Sequence, residues 1–344
     1  MLFETRTSPH VHLGNSVALV MRRVLYALAP GLLVLIVVFG PGVLVQLALA
    51  AATALACETL MLLLRRRPLA PFLGDASALV TAALLAVALP PLGPWWLIVL
   101  GTAFAIVIAK HLYGGLGYNP FNPAMIGYVV LLISFPLEMS TWAAPRGVGG
   151  HVAGFGEALA LIFGGHGDHV LLDAVSSATP LDTLHTQLGL GQTVAAVRAG
   201  SPVFGWIGGS GWEWANLAFL GGGLWMCQRR VAAWQIPAGM LGALALISTV
   251  FWIAEPARFA PPWFHVMSGA AVFGAFFIAT DPVSASTTPR GRLIYGAGIG
   301  LLTWLIRSLG GFPDGVAFAV LLMNLAAPTI DQYTLPRAFG AGRA

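Results

Sequence analysis

Residues 108–136 read IAKHLYGGLGYNPFNPAMIGYVVLLISFP: a basic residue, a Gly-Gly pair, a break rich in asparagine and proline, then an apolar run ending in proline. Residues 305–328, LIRSLGGFPDGVAFAVLLMNLAAP, follow the same order. The echo predicts two related halves. Working outward from the two copies gives ten apolar segments, at 24–40, 43–64, 76–92, 94–113, 123–141, 212–228, 234–254, 265–280, 293–308 and 315–331. A helix that crosses a bilayer needs about 20 mostly apolar residues. The two copies fall at the fourth-to-fifth and ninth-to-tenth junctions. Five is an odd number, so the second half would enter the membrane from the opposite face. The expected fold class is an all-α polytopic membrane protein with about ten transmembrane helices in two inverted five-helix halves. Such repeats recur in transporters, with the functional centre between the halves.

Composition points the same way. Of 344 residues, 58% are hydrophobic and 9% charged, and the mean hydropathy is +0.83. Soluble domains carry about 25% charged residues, so the lipid bilayer is the expected solvent. The basic balance, 17 Lys+Arg against 13 Asp+Glu, rests on few charges. They form no stripe with interleaved aromatics, which argues against nucleic-acid binding. Cys57 and Cys227 lie in apolar runs without CxxC or Cys/His spacing, and read as small core residues. The first 23 residues contain no apolar run and do not read as a cleaved signal peptide.

Basic residues orient the chain. With the N-terminus cytoplasmic, 13 of the 17 Lys and Arg fall inside, leaving only Arg146, Arg198, Arg258 and Arg307 outside. The expected organisation is a cytoplasmic N-terminus (1–23), a first five-helix half (24–141), an extracytoplasmic segment (142–211), a second five-helix half (212–331) and a cytoplasmic C-terminus (332–344).

Several stretches admit two readings. In GGLGYNPFNPAM (114–125), Asn122-Pro123 suits a helix cap followed by the first helical residue. The break is either a tight hairpin or a re-entrant segment lining a cofactor or ion path. FIATDPVSASTTPRGR (277–292) is either a loop or a polar pocket for a ligand headgroup. Glu58 is the most embedded acid. An intramembrane acid suggests ion coupling, but Arg65 two turns along offers it a structural partner. The other charges near spans, Lys110 and Arg307 among them, can snorkel from span ends. His166, Asp168 and His169 cluster among glycines with no evident fourth ligand, a weak metal pattern.

DAVSSATPLDTLHT (173–186) stands apart as small, hydroxyl-rich and polar. Thr179-Pro180 with Asp182 suits a helix start. A threonine hydroxyl there could equally be a point of covalent attachment. Topology places it outside the cytoplasm.

KHLYGGLGYNPFNPAMIGYVVLLISFP, SATPLD, GAFFIATDPVSASTTPRGRLIYGAGIGLLTWLIR and GGFPDGVAFAVLLMN closely resemble RnfD, the D-type membrane component of the Rnf electron-transport complex, as do the opening SPHVH and the closing APTIDQYTLPR. The B-type component of the sodium-pumping NADH–quinone reductase is a homologous family, usually with a longer N-terminal extension. The resemblance implies a multi-pass protein of the bacterial inner membrane, in a complex that links ferredoxin and NADH redox chemistry to ion movement. It implies FMN joined through its phosphate to the threonine of a Ser-Gly-Ala-Thr motif, with the bond made by a separate flavin transferase, and an association with non-covalent riboflavin. That threonine falls on Thr179, and Ser177 stands where glycine is usual. Trp142, Phe204, Trp206, Trp212 and Trp214 are candidate walls for the flavin ring. The remaining partners implied are the other membrane and peripheral subunits. Without a dinucleotide-binding βαβ pattern, the chain would not turn over NADH alone. The residues without the resemblance support a transporter or channel; a quinone-reductase-type subunit is the nearer alternative.

Overall fold

The computed structural model describes residues 16–148, 151–164 and 169–335. Each of the ten apolar segments falls on helix. Five helices are long and apolar enough to cross a membrane: Val17–Phe39, Gly42–Leu64, Leu69–Ala88, Gln235–Ala254 and Val316–Thr334. The rest are short, broken or more polar. Trp95–His111 and Pro123–Ser134 are apolar but shorter. At 12 residues, Pro123–Ser134 rises only about 18 Å. Pro289–Leu309 carries Arg290, Arg292 and Arg307. The segment expected at 265–280 is two pieces: Pro262–Met267, then Ala271–Phe273 running into a π-turn at Gly274–Ile278.

Local chemistry sets the helix starts. Asn122 caps Pro123–Ser134, its side chain accepting from the Ala124 and Met125 N–H groups, with proline in the first turn. Thr288 does the same ahead of Pro289. In the Gly-Gly break, Gly114 and Gly115 take φ of 132° and 103°, a region that side chains disfavour. Gly310, in the second copy, has an ordinary φ of −87°. The echoed sequences therefore do not share one backbone path.

Broken helices leave carbonyls that hydrocarbon cannot satisfy, and here buried side chains bond them. Gln46 Nε2 donates to Gly93 O, and Asn122 Nδ2 donates to Ile278 O at 3.3 Å. Asn216 Nδ2 bonds Met267 O at 3.0 Å and Gly269 O at 3.3 Å. Arg307 donates to His265 O and Ser268 O. Three of these four donors act on the broken segment of the second half, which is why it can be irregular at depth.

The packing repeats. Gly42–Leu64 lies on Ser77–Ala88 and Trp95–Ala103; Gln235–Ala254 lies on Pro262–Met267 and Pro289–Leu309. Trp95–Ala103 and Pro289–Leu309 each pack on the last helix of their half. The halves meet through Val17–Phe39 against Trp212–Gln228, and through Pro123–Ser134 against Val316–Thr334. Gly296 and Gly300 let Pro289–Leu309 approach the backbone of Gln235–Ala254, where a β-carbon would strike Ile236 O and Met240 O respectively. Small residues four apart permit this approach. Gly300→Val is expected to cost at least about 1–3 kcal/mol through overpacking, read as a lowered Tm in detergent. An unchanged Tm would contradict the close contact.

Candidate functional site

The described residues of the 142–211 stretch form a strand pair and short helices. Trp142–Ala143 pairs antiparallel with Ser176–Ser177, in register Trp142 with Ser177 and Ala143 with Ser176. Short helices follow at Phe155–Phe163, His169–Val175, Pro180–Gly189 and Val194–Gly200. Leu181 and Leu184, one turn apart on Pro180–Gly189, bury against Val194, Val197, Ala260 and Phe264. That contact anchors the helix and its N-terminal end.

Thr179 caps this helix. Its Oγ1 accepts from the Asp182 N–H at 3.2 Å, and Pro180 opens the first turn. The expected helix start is present. Ser177, where glycine is usual in the resembled motif, lies in the two-residue strand and outside the positive-φ residues. An extended backbone accepts serine as readily as glycine, so the substitution causes no strain here.

Thr179, Pro180, Leu181 and Asp182 line a cavity of about 330 Å³ between the two halves. Small-molecule sites commonly begin near this volume. Its walls are chiefly apolar and aromatic, among them Met125, Tyr128, Trp142, Trp212, Phe219 and Phe312. Trp142 and Trp212 meet edge-on at 4.9 Å between centroids, and Phe39 braces Trp212 from 4.6 Å. Polar groups are few: Thr179, Asp182, Asn216 and Asp314 supply most of them. Asp314 is held by the Ala270 N–H at 2.8 Å and by Arg307 Nε at 3.1 Å.

Of the five candidate aromatics, the structure brings Trp142 and Trp212 to Thr179. Phe204 packs on Phe264 instead, while Trp206 and Trp214 are exposed. Tyr128, Phe219 and Phe312 were missed. They lie within or beside spans, where an aromatic has no pattern to distinguish wall from core.

The other candidates resolve differently. Glu58 is buried, and its partner is Lys110 rather than Arg65: Nζ lies 2.8 and 2.9 Å from the carboxylate and 2.9 Å from Ser77 Oγ. His111 Nε2 is 3.1 Å from the same carboxylate. Arg65 bonds His111 O. Lys110 and Arg307 are thus buried ion-pair members, not snorkelling ends. Lys110 comes off the expected inner count and Arg307 off the outer one. In the 277–292 stretch, Ser284 bonds Asp281 and Thr287 bonds Asp331, which commits these hydroxyls within the protein. The two motif breaks do meet, through Asn122 and Ile278. Cys57 and Cys227 are free. His166 and Asp168, and the His169 side chain, lie outside the described residues; no group of three metal-ligating side chains occurs among those described.

Long apolar helices, buried side chains bonding the helix breaks and an aromatic-walled internal cavity define a multi-pass helical membrane protein. The NQR2, RnfD, RnfE family model matches residues 4–340, and the chain belongs to that family. It is 52% identical to the D component of the ion-translocating oxidoreductase complex of Escherichia fergusonii, over 99% of both chains. Proteins of the same name from Escherichia coli strain SE11 and Shigella boydii serotype 18 are 51% and 50% identical, again over 99% of each chain.

Proposed function

We propose that this chain is the flavin-bearing membrane subunit of an ion-translocating oxidoreductase complex, with FMN esterified to Thr179 and its ring in the cavity between the halves. The observation that carries this is the position of the Thr179 hydroxyl. It lies on an apolar, aromatic-walled chamber and at a helix N-terminus at the same time. FMN passes one or two electrons and so can link single-electron and two-electron carriers. Electrons would run between ferredoxin and NADH chemistry elsewhere in the complex, coupled to ion movement.

The protein's part is binding and orientation. Esterification joins Thr179 Oγ1 to the FMN phosphorus, breaks the pyrophosphate bond of a flavin dinucleotide donor with loss of its nucleoside monophosphate, and releases the hydroxyl proton, which is work for a flavin transferase. The ester oxygen is a poorer acceptor than the hydroxyl. The Asp182 N–H, which bonds that oxygen now, is then free for a phosphate oxygen, as helix N-termini favour. Trp142 and Trp212 offer faces and edges to the ring. Asn216 and Asp314 are the polar groups within the chamber that can orient it. The attachment keeps the ring at high local concentration.

In this reading the ten helical segments form ten crossings in two inverted halves. Both termini are cytoplasmic, and Thr179 is on the outer face of the bacterial inner membrane. A second flavin, riboflavin, is held without a covalent bond. The partners are the other subunits of an Rnf complex. Co-purified subunits would separate this from the quinone-reductase-type alternative.

Mass spectrometry of the peptide containing Thr179, from cells that hold the transferase, tests the attachment. An added FMN phosphoryl group on Thr179 is expected; an unmodified peptide would overturn the reading and favour a transporter without redox role. Ala215→Trp tests the ring's place. Ala215 is 3% exposed and lines the cavity, so an indole there competes with the ring. The adduct mass should persist while most of the flavin's visible circular dichroism is lost. Unchanged dichroism would put the ring elsewhere.

A further inference from the structure

The Pro180–Gly189 helix has a second cavity on it, of about 220 Å³, which Thr179 does not line. Its polar side chains are His185, Arg258, His265, Arg307 and Ser308. Two are arginines, two are histidines, and none of the lining residues is acidic. His265 is 5% exposed, and its Nδ1 is buried without a partner. A buried polar atom left so is destabilising unless something bonds it. Arg307 has five N–H donors, and Asp314, His265 O and Ser268 O leave at least one of them free. Asp314 balances that guanidinium from the far side, in the flavin chamber. Arg258 is exposed and lies over Phe259 at 5.7 Å, which holds its stem beside the opening. The chamber has room on the order of seven waters, enough for a tetrahedral oxyanion.

We propose that this pocket binds a phosphate group, with Arg258 and His185 at its open side and Arg307 and His265 at its base. Free phosphate and the headgroup of an acidic phospholipid present the same chemistry. The site does not depend on flavin at Thr179 and can be tested whether or not that attachment forms.

The test uses the purified full-length chain, with unfolding followed by tryptophan fluorescence. One arm titrates sodium phosphate against sodium chloride at equal ionic strength. The other compares nanodiscs of phosphatidylcholine with and without phosphatidylglycerol. At saturation a rise in Tm of about 3 °C is expected. In the His185→Ala/Arg258→Ala double variant the apparent affinity should fall at least about tenfold. Arg258 is exposed and His185 is half-buried, so the variant should fold. Arg229→Ala/Arg230→Ala, remote from the pocket, should keep the full response. A response to phosphate identifies the free ion as a source, and one to phosphatidylglycerol alone identifies the lipid. No rise beyond chloride and phosphatidylcholine, or an equal rise in the double variant, overturns the proposal.

Discussion

Thr179→Asn is expected to yield a chain that folds as the wild type does and carries no covalent flavin. Asparagine is among the best helix caps, so the Asp182 N–H keeps an acceptor and the Pro180–Gly189 helix keeps its start. An amide cannot form the phosphoester. The ultraviolet-fluorescent band on a denaturing gel should vanish entirely while Tm stays within about 0.5 kcal/mol-equivalent of the wild-type apoprotein. Thr179→Val should lose both features: no fluorescence, and about 1 kcal/mol less stability from the missing cap. The pair separates the two roles that this residue combines. A fluorescent band retained in the asparagine variant would move the attachment to a neighbouring hydroxyl, with Ser176, Ser177, Thr183 and Thr186 as the candidates.

Lys110→Met is expected to be among the most destabilising single changes in the described protein. Lys110 and Glu58 are each 2% exposed and form an ion pair at 2.8 Å. Removing the ammonium leaves a buried carboxylate without its cation, beside His111. Breaking one side of a buried pair costs about 3–5 kcal/mol, against a net stability of about 5–15 kcal/mol for a typical domain. Glu58→Leu should cost a similar amount by stranding Lys110. The double variant Glu58→Leu/Lys110→Met should be more stable than either single one, because no uncompensated charge remains. Thermal unfolding of the four proteins measures this. Additive losses would mean that the two side chains act independently, and would refute the pairing.

Much of the architecture was legible in the chain. The apolar segments marked the helices because hydrocarbon admits little else. The Asn122-Pro123 and Thr179-Pro180 starts were legible because a capping side chain and the proline after it act within one turn. Thr179 itself stood out in SATPLD through family resemblance, since nothing in its spacing alone chooses between cap and attachment point. Helix continuity was less legible. The segment at 265–280 reads as one apolar run, yet it breaks at Ser268–Ala270 and widens into a π-turn. The carbonyls of Met267 and Ser268 are bonded by Asn216 and Arg307 from other helices, and neither partner is local in sequence.

What the sequence determined by itself is therefore what neighbours along the chain decide: apolarity over a span, a cap, a proline. Tertiary structure alone decided the pairings. Glu58 took Lys110, 52 positions away, in preference to Arg65 on its own helix. Trp142 and Trp212, separated by the whole connecting segment, became two walls of one chamber, while Trp206 and Trp214 faced out. Thr179 was brought to that chamber by two leucines on the following turn, packed against Phe264 of the second half. Burial in this protein is shared between helices distant in sequence, so which charge is neutralised and which aromatic forms a wall depend on packing that no local pattern encodes.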